Sequence, residues 1–305
     1  MASKKTKKKT ANKPKKEIIT AGGQALIEGV MMRSKDRVAM AVRKPNDKIS
    51  LRKQKFNSIT EKFKILGLPF IRGIFFLIEM MVLGIKALNH SANEAMDEEE
   101  EEIGIFAIVF TMILAFVFAI ALFKFVPLLI AQLLSNISEF VSNNYIVFNI
   151  IDGITKIILF LAYLIFISFL EDIQRVFQYH GAEHKAVHCY EQGKKLTIKN
   201  VQSFSTLHPR CGTTFILFVL IISIFVYTFI PKDFSFWIKL GLRIALLPAI
   251  AGIAYELQKF ASKHQHNWLF RIMVMPGLFV QKLTTRRPDD KQVEVAVKAL
   301  KEVVK

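Results

Sequence analysis

Three apolar runs, Ile103–Phe123, Ile157–Leu170 with its upstream extension and Thr213–Ile230, constrain this chain more than any other feature. A fourth, Ile238–Leu257, has Arg243 inside it. A hydrocarbon core about 30 Å thick is crossed by roughly 18 to 20 apolar residues in a helix, and a soluble domain has no use for several such runs. The composition agrees: 52% of the 305 residues are hydrophobic, among them 27 phenylalanines. The pattern predicts an α-helical multi-pass membrane protein with about four transmembrane helices. The N-terminus is basic but lacks the apolar stretch and small-residue cleavage site of a signal peptide.

Lysine and arginine orient the spans. The N-terminal tail is strongly basic, segment 124–150 holds only Lys124, and 171–212 holds Arg175, Lys185, Lys194, Lys195, Lys199 and Arg210. The region from Lys259 onward is basic again. Four spans with both termini cytoplasmic, in the cell membrane, fit this alternation. Leu66–Leu88 is apolar but carries Arg72 and Glu79, which suits an interfacial or re-entrant helix better than a fifth span. Asp152 and Lys156 are expected to pair four residues apart at the outer end of the second span, with Arg243 snorkelling outward. Pro127 and Pro248 are expected to kink their helices.

Of the net charge of +17, about half comes from eight lysines in the first 16 residues. Such a tail suits anionic lipid headgroups, at about 1 kcal/mol per lysine, or the RNA of a ribosome. It carries no aromatic side chains to stack on bases. Four regions follow: a disordered tail at 1–16; a cytosolic region at 17–102; a transmembrane region at 103–257 with a histidine-rich cytosolic loop at 171–212; and a cytosolic C-terminal region at 258–305. Within the second, Val38–Arg43 and Ile49–Phe56 read as a small hairpin around Lys44-Pro45-Asn46-Asp47, and the acidic run Asp97–Glu102 as a solvated linker.

The chemistry concentrates in 179–191. On a helix, His180, Glu183, His184, His188 and Glu191 share about 140° of one face, with Cys189 opposite. Histidines at i and i+4 can offer two imidazoles to one metal ion. His180, Glu183 and His184 spell His-x-x-Glu-His, the inverted metallopeptidase order, in which the glutamate is a general base. Further on, His208-Pro-Arg-Cys-Gly-Thr places Cys211 at the expected start of the third span, where the helix dipole favours an anion. His208 and Cys211 are candidates to complete a His/Cys site, and Arg210 to hold a phosphate or carboxylate. Two cysteines cannot form a disulfide framework. His264 and His266 read as surface residues. The plain alternative is a set of interfacial histidines bonding loop carbonyls, with Cys211 as a small packing residue.

Four segments in order carry a resemblance. They are Gly-Gly-Gln-Ala-Leu-Ile-Glu-Gly-Val-Met-Met-Arg at 22–33, His-Gly-Ala-Glu-His-Lys-Ala-Val at 180–187, His-Pro-Arg-Cys-Gly-Thr at 208–213 and Gln-Lys-Leu-Thr-Thr-Arg at 281–286. Together they resemble the YqhQ-like bacterial membrane family, domain-of-unknown-function family 1385, over essentially the whole chain after the tail. The resemblance implies a metal-dependent enzyme, and places Gln24, Glu28 and Arg33 with the histidines, Glu28 as a carboxylate ligand.

The expected function is metal-dependent hydrolysis at the cytosolic face, with a divalent metal, zinc by its ligands. His180, His184, His188, His208 and Cys211 are the ligand candidates and Glu183 the base. One rival is a non-catalytic membrane factor that binds lipid, ribosome or another membrane protein through structural histidines. Another is a transporter with a cytosolic metal gate, which charges deep inside several spans would favour.

Overall fold

The computed structural model describes residues 19–96, 104–231, 233–264 and 267–305; the lysine tail, Asp97–Glu102 and His266 lie outside them. Four strands come first: β1 (Gly22–Leu26), β2 (Gly29–Arg33), β3 (Arg37–Arg43) and β4 (Ile49–Lys55), an antiparallel sheet in chain order. The helices are α1 (Ile59–Lys62), α2 (Ile71–Ala95), α3 (Ile105–Ile120), α4 (Val126–Ile137), α5 (Glu139–Asn143), α6 (Tyr145–Ile167), α7 (Glu171–Glu191), α8 (Ile198–Gln202), α9 (Gly212–Tyr227), α10 (Phe236–Ala245), α11 (Leu247–Lys263), α12 (Trp268–Thr284) and α13 (Asp290–Val303).

The expected hairpin is β3–β4, closed at Arg43 opposite Ile49. The glycine-punctuated segment before it is a second hairpin, β1–β2, whose two-residue turn is Ile27-Glu28, with Glu28 at φ +50°. Alternation along the strands sends side chains to both faces. Val30, Met32, Ala39 and Ala41 pack with Tyr179, Ala182 and Ala186 of α7 and Val293, Ala296 and Leu300 of α13. Leu26, Met31, Val38 and Met40 face the other way, onto Leu83 and Ala87 of α2. A sheet covered on both sides needs apolar residues at consecutive positions, hence Gly-Val-Met-Met and Val-Ala-Met-Ala-Val. α13 starts on a capping box in which Asp289 and Gln292 bond each other's backbone N–H groups.

Two helices are long and apolar enough to cross a membrane: Val109–Ile137, continuous through a π-helical turn at Ala121–Phe125, and Tyr145–Ile167. α10 and α11 make a third if their 42° bend counts as one broken span. The bend falls just before Pro248, in the first turn of α11, as expected of a proline. Pro127 instead follows the π turn, which absorbs its missing N–H without breaking the helix. α9 is apolar but only 16 residues long. The chain is thus mostly helical, with two or three candidate spans among the described residues. α2 is not one of them. Its Arg72 pairs with Glu256 of α11, and its Glu79 accepts hydrogen bonds from Ser58 and the Ile59 N–H, which ties it to its neighbours through polar groups.

The charges in the bundle differ from expectation. Asp152 and Lys156 do pair, but Lys156 is the midpoint of α6 and both are fully enclosed. Arg243 does not snorkel: it is 1% exposed, Nη1 lies 2.5 Å from Asp152 Oδ1, and Nη2 donates to Asn149 Oδ1 at 2.9 Å. The physical reason is that an opposite charge within the bundle offsets burial that a long side chain would otherwise escape. The upstream extension of the second span reaches back to Tyr145, where α6 begins, and the side chain of the N-cap Asn144 accepts from the N–H of Val147.

Candidate metal centre beneath the sheet

α7 serves two surfaces. Tyr179, Ala182, Ala186 and Cys189 belong to the sheet core, where burial pushes the Cys189 thiol pKa up. The turns between them carry His180, Glu183, His184 and His188 toward the loop that precedes α9 and the end of α12. The tight side-by-side approach of these parts depends on two glycines. A Cβ on Gly23 of β1 would meet Glu183 Cγ at 2.8 Å, and one on Gly181 would collide with the backbone oxygen of Arg286.

Each imidazole is oriented by a main-chain carbonyl. His180 Nδ1 donates to Thr284 O at 2.8 Å, and His184 Nδ1 donates to Thr206 O at 2.5 Å. A carbonyl oxygen only accepts, so Nδ1 carries a proton in both rings, which leaves Nε2 as the nitrogen available to a metal. His180 Nε2 lies 3.2 Å from Cys211 Sγ, and one ligand atom each from His180, His184 and Cys211 fall within 4.8 Å of one another. Glu183 Oε2 is 3.4 Å from His184 Nε2. Two imidazoles held through Nδ1 beside a thiol form a donor set that suits a metal ion, and the carbonyls are its outer shell. His184, Glu183 and Cys211 are buried, and His180 is partly exposed.

His188 and His208 form a second layer, their rings 4.5 Å apart. His188 Nδ1 bonds Ser205 O at 3.3 Å, and burial, with His208 beside it, pushes its pKa down to about 4. His208 is also lowered by burial, and its Nε2 lies 3.3 Å from Glu191 Oε2. Glu191 takes Arg210 as its ion-pair partner, so the carboxylate expected for Arg210 comes from the chain itself. Cys211 stands at the N-terminus of α9, where its place in the sequence puts it.

The structure does not bring all three N-terminal candidates to the histidines. Glu28 reaches α7, but Arg175 pairs with its carboxylate and Tyr179 Oη donates to Oε2 at 3.2 Å, which occupies the oxygens a metal would need. Gln24 lies on the opposite side of β1 from Glu183, against Gly84 of α2. Arg33 is also on the α2 side, its guanidinium 4.1 Å from the centre of the Phe56 ring and Nη1 2.7 Å from Met80 Sδ. Strand alternation explains the split, since adjacent residues of a strand face opposite ways. His264 is a surface residue, bonded to its own helix at Phe260 O.

Sequence reasoning missed several parts. Gln281 clamps the Cys211 loop: its amide accepts from the His208 N–H at 2.8 Å and donates to His208 O at 2.9 Å. Lys185 donates to Gln202 O and Phe204 O, each at 2.7 Å, and so fixes the turn that presents Thr206. Gln281 and Thr284 lie in one of the segments that carried the resemblance, and that was their only signal. Thr206 acts through its backbone, which no side-chain pattern reveals.

The fold and site define a membrane-type helical protein in which α7 packs a small sheet on one face and presents a His/Cys cluster on another. The chain belongs to the family described as "Protein of unknown function (DUF1385)", whose pattern matches residues 68–305. It is similar to "Uncharacterized protein YqhQ" of Bacillus subtilis (strain 168), with 36% identity over 297 residues, 93% of this chain and 92% of the relative. No solved structure matches it.

Proposed function

We propose that this protein is a metal-dependent membrane hydrolase with its site at the cytosolic face. His180, His184 and Cys211 hold a divalent metal, and Glu183 acts as the general base. The observation that carries this reading is the paired Nδ1–H donation to Thr284 O and Thr206 O, which leaves Nε2 of each ring for a metal, in a cluster whose ligand atoms lie within 4.8 Å of one another and include the Cys211 sulfur. Two imidazoles and a thiolate favour zinc over magnesium or calcium. When bound, such an ion supplies Lewis acidity and acidifies water. The chain supplies the ligands, the fixed tautomers and a carboxylate beside them. His188 and His208, whose pKa values burial lowers, stand behind the ligands.

In this reading four spans place both termini in the cytoplasm, with α9 as a short span and α10–α11 as a broken one. The lysine tail adds a contact to anionic lipid.

The burial of Glu183, with β1 backbone against it, favours a second reading: a metal-stapled membrane factor without turnover. Glu183→Gln separates the two. Loss of a general base costs about 10² to 10⁴ in rate. For a hydrolase, the variant keeps its metal and thermal stability but fails to restore the phenotype that the wild-type gene restores to a deletion strain. Full complementation by Glu183→Gln would remove the catalytic assignment and leave the staple.

A further inference from the structure

A second polar centre lies at the other end of α9 from Cys211, around Tyr227. Lys124 of the first candidate span, Lys156 of α6, and Lys239 and Arg243 of α10 are all buried, none more than 9% exposed. One buried carboxylate, Asp152, stands among them and already takes both Lys156 and Arg243 as partners. Lys124 Nζ donates to Tyr227 Oη at 3.0 Å, and the Tyr227 ring lies 4.6 Å from Lys156 Nζ and 5.0 Å from the Arg243 guanidinium. Lys239 Nζ has Gln132 Oε1 at 3.5 Å and the Phe148 ring at 5.0 Å. Four formal cations thus face one formal anion inside an apolar bundle, where an uncompensated charge is strongly disfavoured. Arg243 Nε, fully enclosed, has no hydrogen-bond partner.

Beside this centre opens a cavity of about 280 Å³, lined by Gln132, Asn136, Ser142, Tyr145, Phe148 and Lys239 among others. The one acid in its lining is Asp233, an exposed residue. Phe148 connects the cavity to the charges behind it: Lys239 and Arg243, one helical turn apart, both lie over its ring.

We propose that this centre binds a phosphate group, entering through the cavity, contacted there by Lys239 and balanced by Arg243 behind Phe148. Ammonium and guanidinium donors on a low-dielectric wall recognise a phosphate oxyanion, and the amide and hydroxyl lining hydrates or bonds what is attached to it. A lipid phosphodiester and free inorganic phosphate share this chemistry.

The test uses the full chain in nanodiscs. In phosphatidylcholine discs, millimolar inorganic phosphate is compared with sodium chloride of equal ionic strength for its effect on thermal stability. In phosphatidylglycerol discs, lipid retained after detergent exchange is counted by native mass spectrometry. Stabilisation by phosphate identifies the free anion, and retention of about one lipid per chain identifies the headgroup. In either case Lys239→Gln weakens binding about tenfold or more, the loss expected for one charge-assisted hydrogen bond, and Lys239→Arg restores it. Lys239 makes no contact with Asp152, so its removal leaves the central ion pairs in place. Absence of both effects, or equal binding by wild type and Lys239→Gln, would overturn the proposal.

Discussion

Replacing Gly181 with alanine sets two known effects against each other. Inside a helix, alanine for glycine ordinarily gains about 1 kcal/mol. At Gly181, however, the new Cβ would stand well inside the 3.0 Å from the Arg286 carbonyl oxygen below which real Cβ atoms are essentially never found. That carbonyl is not free to retreat. The Arg286 N–H donates to Phe177 O at 2.9 Å, Nη1 to Gln174 Oε1 at 2.8 Å and Nη2 to Ser168 O at 3.0 Å, so three bonds hold it to α7 and the turn before it. Overpacking strain of about 1–3 kcal/mol, together with about 1 kcal/mol for each of the two backbone-dependent bonds disturbed (Arg286 to Phe177 and His180 to Thr284), outweighs the helix gain. The expected net loss is about 2–4 kcal/mol, roughly 3–6 °C in melting temperature for a chain of this size. Gly241, inside α10 with nothing within 4 Å of its would-be Cβ, is the control, and Gly241→Ala is expected to be neutral or slightly stabilising. Thermal unfolding of both variants in the same detergent decides. Gly181→Ala at or above wild-type stability would refute the close packing of α12's end on α7.

Purified protein is expected to contain about one zinc per chain; elemental analysis should find it lost in His184→Ala and kept in His264→Ala, and equal content in both would leave the histidines purely structural. In a cysteine-free background, Ser142→Cys and Ser235→Cys are expected to react with an impermeant thiol reagent on intact cells and Lys194→Cys only after lysis; labelling of position 194 from outside would reverse the orientation. Lys185→Met strands the carbonyls of Gln202 and Phe204, at a cost of about 2 kcal/mol or more, and should raise hydrogen exchange across 203–207; unchanged exchange there would show that the turn holds without the ammonium.

The parts of this molecule that local chemistry determines were legible. The β3–β4 turn has Asn46 and Asp47, with Asp47 at φ +63°, and turn residues of that kind announce themselves. The helix face of His180 and His184, and the position of Cys211 at a helix start, follow from spacing alone. The β1–β2 turn was illegible because Ile27-Glu28 is poor turn chemistry; Arg175 and Tyr179, some 150 residues away, hold Glu28 there. The basic residues from Lys259 onward mark 258–305 as cytosolic, and no period in the sequence announces that α12 packs Val274 against α9 and α11 and Val280 against α6. The Asp152–Lys156 pair was visible as an i, i+4 spacing. Its third member, Arg243, was not, since the contact joins α6 to α10 and no period in the sequence connects them.

The histidine tautomers are set by the oxygens of Thr206 and Thr284, and every amino acid has that oxygen. Side chains at these two positions can therefore change, within the room available, without altering which nitrogen faces the cysteine. Chain length cannot. One residue added or removed between Lys185 and Thr206, or between Gln281 and Thr284, would withdraw a carbonyl and free a ring to flip. The centre is accordingly tolerant of spelling and intolerant of insertion, and a scan of single-residue insertions and deletions through these two stretches would map its boundary more sharply than alanine substitution.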